Sequence, residues 1–151
     1  MKDIKTIDYP LSSEEFHTIY GKVPRLCVEI VIKSDKGVLL SLRDIEPCKG
    51  LWHLPGGTVF FGERLTDAVK RVAKRELDIV VTDTKFIDYV EYPSHYEKGF
   101  DSPVGLAFLV DYQGEIRPNE EAADVGWFNV LPSNTHADQE EFINTKVLTL
   151  P

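Results

Sequence analysis

Residues Glu63 to Leu77 constrain the chain more than any other stretch. Leu65, Ala68, Val69, Val72, Ala73 and Leu77 recur at helical spacing, which lays one apolar stripe along a helix and obliges that helix to pack against something. Apolar, β-branched runs lie on both sides. "RLCVEIVI" and "VLLSLR" come before it, and "KFIDYVEY" and "VGLAFLVDY" come after it. Strands flanking a well-patterned helix predict a mixed α/β domain with helices on sheet faces. "SDKG" reads as a turn that pairs the first two runs as a hairpin. "LSSEEFHTIY" reads as a short helix capped by Ser12 or Ser13 and closed by Gly21. "PSHYEKGFDS" reads as a polar loop, "DVGWFNV" as a short strand, and Asp138 to Leu148 as a terminal helix.

The chain has 151 residues, enough for one domain with its own core. A formal charge of −8 argues against a protein that grips a nucleic-acid backbone, because that work needs a basic face. No apolar run is long enough to span a bilayer, and the first residues lack the apolar core of a signal segment. Cys27 and Cys48 have no short metal-ligand spacing and read as reduced thiols. The expectation is a cytoplasmic domain without nucleic-acid or membrane partners.

Chemistry concentrates around the central helix. Gly56 and Gly57 allow close approach of backbone to a ligand. Glu76 lies in the last helical turn beside the apolar stripe, and Arg71 and Arg75 share a face four residues apart. Arg43 ends the preceding strand and can reach the same mouth. A carboxylate with carbonyl oxygens suits a hard cation such as Mg²⁺, and arginines suit phosphate oxygens. The same residues also fit a plain surface helix with solvated charges above a core stripe. Trp52 and Trp127 read as packing residues, and His53 points into the site or away from it.

"GGTVFFGERLTDAVKRVAKRELDI" resembles the Nudix box, G-x5-E-x7-R-E-U-x-E-E-x-G-U, where U is a bulky aliphatic residue. Gly57, Glu63, Arg71 and Glu76 keep the pattern. Val72 and Arg75 replace glutamates, Asp78 replaces a glycine, and Ala73 is small. "LWHLPGG" is similar to the usual lead-in. Within that superfamily the thinned box resembles the GDP-mannose mannosyl hydrolases. So do the flanks "LSSEEFHTIYGKVPRLCVEIVI", "VLLSLRDIEPCKGLWHLPGG", "HYEKGFDS" and "RPNEEAADVGWF", which together cover roughly residues 11 to 131. The resemblance implies a Nudix fold, a mixed β-sheet sandwiched between helices. It implies a single domain over residues 1–151, with 1–10 as an N-terminal extension.

The resemblance also implies roles. Gly56, Glu76 and Glu121 would bind one Mg²⁺, with Mn²⁺ as a substitute. Arg43 and Arg71 would handle the diphosphate or order the site. Tyr96 and Phe100, in the loop that resembles a substrate cover, would stack on the ligand. The family's histidine base falls on Ala122, which cannot take a proton, so Glu121, Asp124 and His95 are the candidates to replace it, although Glu121 cannot easily serve as both metal ligand and base. The implied reaction releases sugar and nucleoside diphosphate from a nucleotide sugar, with one metal neutralising the leaving group while water attacks carbon. Two other readings stand beside it: phosphoanhydride cleavage of a nucleoside diphosphate linked to another moiety, and a silent nucleotide-binding domain. The N-terminal helix and first strand imply a homodimer.

Overall fold

The computed structural model describes residues 9–151. The expected N-terminal extension 1–10 therefore lies mostly outside the described residues. The first element, α1 (Ser13–Tyr20), starts at Ser12, whose hydroxyl accepts from the Glu15 N–H while Glu15 reaches back to the Ser12 N–H. This reciprocal capping box settles which serine caps the helix.

Four strands, β1 (Arg25–Val31), β5 (Gly56–Thr58), β6 (Val80–Glu91) and β7 (Pro103–Gln113), form one sheet in the order β5-β1-β7-β6. The sheet is mixed: β1 and β7 run parallel, and β5 and β6 pair antiparallel at its edges. A second, antiparallel sheet contains β2 (Lys33–Ser34), β3 (Gly37–Arg43), β4 (Trp52–His53) and β8 (Ala122–Phe128), with β3 paired to each of the others.

The expected hairpin needs correction. Only β2, two residues long, folds back on β3, while β1 leaves for the first sheet. Residues 27–31 are all buried. A strand covered on both faces belongs at a sheet centre beside a parallel neighbour, and a run that is apolar apart from Glu29 does not reveal which neighbour that is.

Helix α2 (Leu65–Leu77) lays Ala68, Val69, Val72, Ala73 and Leu77 against Val28, Ile30, Leu39, Val81 and Phe108. On the other side, Val31, Val38, Leu40, Leu54 and Ala107 pack with Ile143 and Val147 of a π-helical turn (Ile143–Val147). That turn continues helix α4 (Ala137–Phe142). The sheets thus lie between α2 and the C-terminal helical segment, as expected. Fully burying a branched aliphatic side chain contributes about 1.5–3 kcal/mol, so both layers matter to stability. The polar loop after β6 contains a short helix, α3 (Pro93–Glu97), which the sequence reading missed. Proline at its first turn supplies the helical φ.

Candidate active site

The loop between β5 and α2 is clamped by one ion pair. Glu63 sits just before the helix, where its Oε1 accepts from the Phe60 N–H at 3.0 Å. Arg71, two turns into α2, donates Nε to Glu63 Oε2 at 2.7 Å and Nη2 to Glu63 Oε1 at 2.9 Å. Nη2 also donates to the Thr58 carbonyl at 2.8 Å. The guanidinium lies over the Phe60 ring, 3.5 Å from its centroid. Arg71 holds the Glu63 carboxyl below its ordinary range, chiefly through the side-chain hydrogen bond. The spacing of Glu63 and Arg71 therefore builds the loop. Of the two roles implied for Arg71, these contacts are those of a positioning residue.

Glu76 is four residues after Val72 and three after Ala73, so it shares the inward face of α2 with them. Its Oε2 accepts from Asn119 Nδ2 at 2.8 Å, and its carbonyl accepts from the Asn119 N–H at 3.2 Å. Asn119 Oδ1 in turn accepts from the Glu121 N–H at 3.0 Å. The Glu121 carbonyl accepts from the Asp44 N–H at 2.9 Å, and Arg43 stands opposite Ala122 in the β3–β8 register. Glu76, Glu121 and Arg43 thus gather at one end of α2. Asn119, which joins the first two, was not among the expected residues. Arg43 also donates Nε to the Pro47 carbonyl, tying back the loop that follows it.

Gly57 lies against this helix. A Cβ there would meet Val72 Cγ2 at 3.1 Å, so the edge strand runs over the face that carries Glu76. Because β5 is an edge strand, its outward carbonyls have no ladder partner. Carboxylate and carbonyl oxygens are the donor type that a hard divalent cation takes.

The opposite face of the sheet carries a second polar network. Val28 and Ile30 face α2, so Cys27 and Glu29 turn the other way. Glu29 is 5% exposed and occupies space that two glycines leave open: a Cβ at Gly56 would meet its Oε2 at 2.3 Å, and one at Gly105 its Oε1 at 2.5 Å. The buried Tyr92 hydroxyl donates to Glu29 Oε1 at 2.6 Å and accepts from Gln139 Nε2 at 2.7 Å. Burial raises the Glu29 carboxyl to about 7, with the Tyr92 hydrogen bond opposing the shift.

The Tyr92 ring touches two histidines, with centroids 5.3 Å from His95 and 5.5 Å from His136. Nε2 of His95 is 3.0 Å from Nε2 of His136 and 3.8 Å from Cys48 Sγ. Nδ1 of His95 is 2.9 Å from Asp101 Oδ1, and Asp101 is paired with Arg25 at 2.8 Å. Hydrogen bonds from His136 and His95 pull the Cys48 thiol down to about 6. Burial alone would lower His95, but Asp101 and Cys48 outweigh it and raise the imidazole to about 9. His95 sits in this cluster, on α3, rather than in the hydrogen-bonded group around Glu76. Cys48 and His136 were not expected as site residues, and nothing in their local sequence marks them.

Three of the remaining expected residues, Tyr96, Phe100 and Asp124, lie on the surface. Tyr96 and Phe100 are 56% and 44% exposed, open to a ligand on the covering segment. Asp124 is exposed on β8 and accepts locally from the Val125 N–H at 2.8 Å. His53 donates Nδ1 to the Leu54 carbonyl at 2.7 Å, and burial holds its imidazole at about 4. It is therefore neutral.

Residues 23–145 match the family model described as the NUDIX domain. The low-salt glycan biosynthesis protein Agl8 of Haloferax volcanii is 41% identical over 99 residues, covering 64% of this chain and 64% of Agl8. An ADP-ribose pyrophosphatase of Methanocaldococcus jannaschii is 28% identical over 108 residues, covering 71% of this chain and 63% of that protein. The chain thus spans somewhat under two-thirds of the length of these two relatives. Among solved structures, a MutT NUDIX hydrolase from Burkholderia pseudomallei superposes with a TM-score of 0.69 at 30% identity, covering 78% of this chain and 94% of that one.

Proposed function

The chain belongs to the NUDIX family, and we propose that it is a divalent-metal-dependent hydrolase of a nucleoside diphosphate derivative, specifically a nucleotide sugar similar to GDP-mannose. The observation that carries this reading is Glu76. It is a carboxylate on the inward face of the box helix, held by Asn119 and adjoining the Glu121 backbone. Glu76, Glu121 and the Gly56 carbonyl would hold one Mg²⁺ or Mn²⁺. When bound, the ion supplies charge neutralisation for a diphosphate. The chain's own residues do the rest. Arg71 and Glu63 hold the loop in place, Arg43 meets phosphate oxygens, and Tyr96 and Phe100 flank the ligand. Asp124, two residues past Ala122 and exposed, is the proposed base that takes a proton from water.

The thinned box favours attack on sugar carbon over attack on phosphorus. With Val72 and Arg75 in place of two box glutamates, the helix retains one inward carboxylate, enough to neutralise a leaving diphosphate. Agl8, named for glycan biosynthesis, adds weight to a sugar-linked substrate, and the named ADP-ribose pyrophosphatase keeps phosphoanhydride cleavage as the second reading. Turnover of a panel of nucleotide sugars and dinucleotides, measured with Mg²⁺ and again with chelator, tests the proposal. Metal-dependent turnover that falls in Asp124→Asn supports it. Turnover unaffected by chelator contradicts it.

We place the protein in the cytoplasm as a homodimer. Cys27 and Cys48 are both free thiols, and no helix among the described residues is long and apolar enough to cross a membrane. Ile19, Val23 and Leu26 give α1 and the start of β1 an exposed apolar edge, 40–48% accessible. Sedimentation at monomer mass would rule out the dimer.

A further inference from the structure

We propose that Cys48, His95 and His136 form a binding site for one zinc-class divalent ion, distinct from the all-oxygen site at the box helix. It is the one group of three metal-ligating side chains among the described residues whose donor atoms all lie within 4.8 Å of one another. Four-coordinate zinc, with Zn–N near 2.0 Å and Zn–S near 2.3 Å, sets N···N at about 3.3 Å and N···S at about 3.5 Å. The cluster shows 3.0 Å between the two Nε2 atoms and 3.8 Å from His95 Nε2 to Cys48 Sγ. Both lie within about 0.3 Å of what the ion requires.

The surroundings orient the ligands. Asp101 faces Nδ1 of His95 at 2.9 Å, which places the imidazole proton there and leaves the Nε2 lone pair aimed into the cluster. A carboxylate behind a histidine is the usual support for a metal ligand. Arg25 in turn fixes Asp101. Cys48 adopts φ +68, a left-handed conformation that costs a non-glycine residue roughly 1–2 kcal/mol and is held only where the surroundings impose it. His136 caps α4 by accepting from the Asp138 N–H at 3.2 Å, so its Nε2 proton points to His95. An ion replaces that shared proton. The displaced proton moves to Nδ1, which breaks the bond from the Asp138 N–H and turns Nδ1–H toward the Asp138 carboxylate, 4.0 Å away.

A thiol with two imidazoles selects a borderline-soft ion such as Zn²⁺ over Mg²⁺. Three protein ligands leave a fourth position for water or a ligand oxygen. Cys48 and His95 are only partly buried, so that position is reachable from solvent.

The test uses untagged full-length protein, stripped with chelator and titrated with Co²⁺ as the probe. The expected result is that one equivalent of Co²⁺ per chain develops intense visible bands of four-coordinate cobalt and a thiolate-to-cobalt band in the near ultraviolet, and that Zn²⁺ abolishes both. Cys48→Ser loses the thiolate band while circular dichroism stays unchanged; Cys27, buried elsewhere, remains as the internal control. His136→Asn keeps a side-chain cap for α4 and weakens Co²⁺ binding by about 10-fold or more. Glu76→Gln leaves the bands in place, so failure of the hydrolase reading and failure of this site are separable. Absence of the thiolate band in the wild-type protein, or its retention in Cys48→Ser, overturns the proposal.

Discussion

Glu76→Gln is expected to lower metal-dependent turnover by about 10²-fold or more, with the thermal midpoint shifted by less than about 3 °C. The amide is isosteric and can still meet Asn119 through its oxygen. What is lost is the negative charge on the inward face of α2, next to two buried aliphatic residues. Val72 carries no ligand atom, and Arg75 is cationic, so no neighbouring box position can substitute. Steady-state kinetics across a Mg²⁺ titration check the expectation. Retention of near wild-type turnover would remove Glu76 from the metal site.

Arg71→Ala carries the largest expected stability effect. The substitution strips two hydrogen bonds from a Glu63 carboxylate that is 14% exposed, leaves the Thr58 carbonyl without its guanidinium donor, and uncovers Phe60. Breaking a partly buried, doubly hydrogen-bonded pair costs about 3 kcal/mol, which for a domain of this size is a fall in thermal midpoint of roughly 6–12 °C. The pair also predicts a pH dependence. Glu63 titrates below its ordinary value of 4.5 when folded. Its contribution is therefore fully present above that value and is lost as pH falls through the lower folded one. Denaturant unfolding from pH 7 downward should show wild type losing stability toward acid more steeply than Glu63→Gln. Parallel curves would mean that the pair contributes little.

Much of this site is legible in the sequence because it is local. Glu63, Arg71 and Glu76 belong to one contiguous segment, and helical periodicity places them relative to the stripe before any fold is known. The hairpin was misread for a physical reason. Cys27 to Val31 is buried on both faces, and a run that is apolar except for Glu29 shows that a strand is central without showing what it pairs with. Helix α3 is five residues long and too short to have a period. The second cluster is illegible for another reason: Cys48 and His95 are 47 positions apart, and His95 and His136 are 41. They meet only because α3, the N-terminus of α4 and the β3–β4 loop converge around Tyr92. Glu29 gave a fainter signal, a single carboxylate inside a strand that is otherwise core. Its meaning appears only with Gly56 and Gly105, which leave room for it from two other strands.

Product identification with a guanosine nucleotide sugar and Mg²⁺, run in heavy-oxygen water, tests the central claim most directly. Attack on sugar carbon predicts free sugar carrying the label and an unlabelled nucleoside diphosphate. Nucleoside monophosphate with sugar phosphate, and the label on phosphorus, would contradict it.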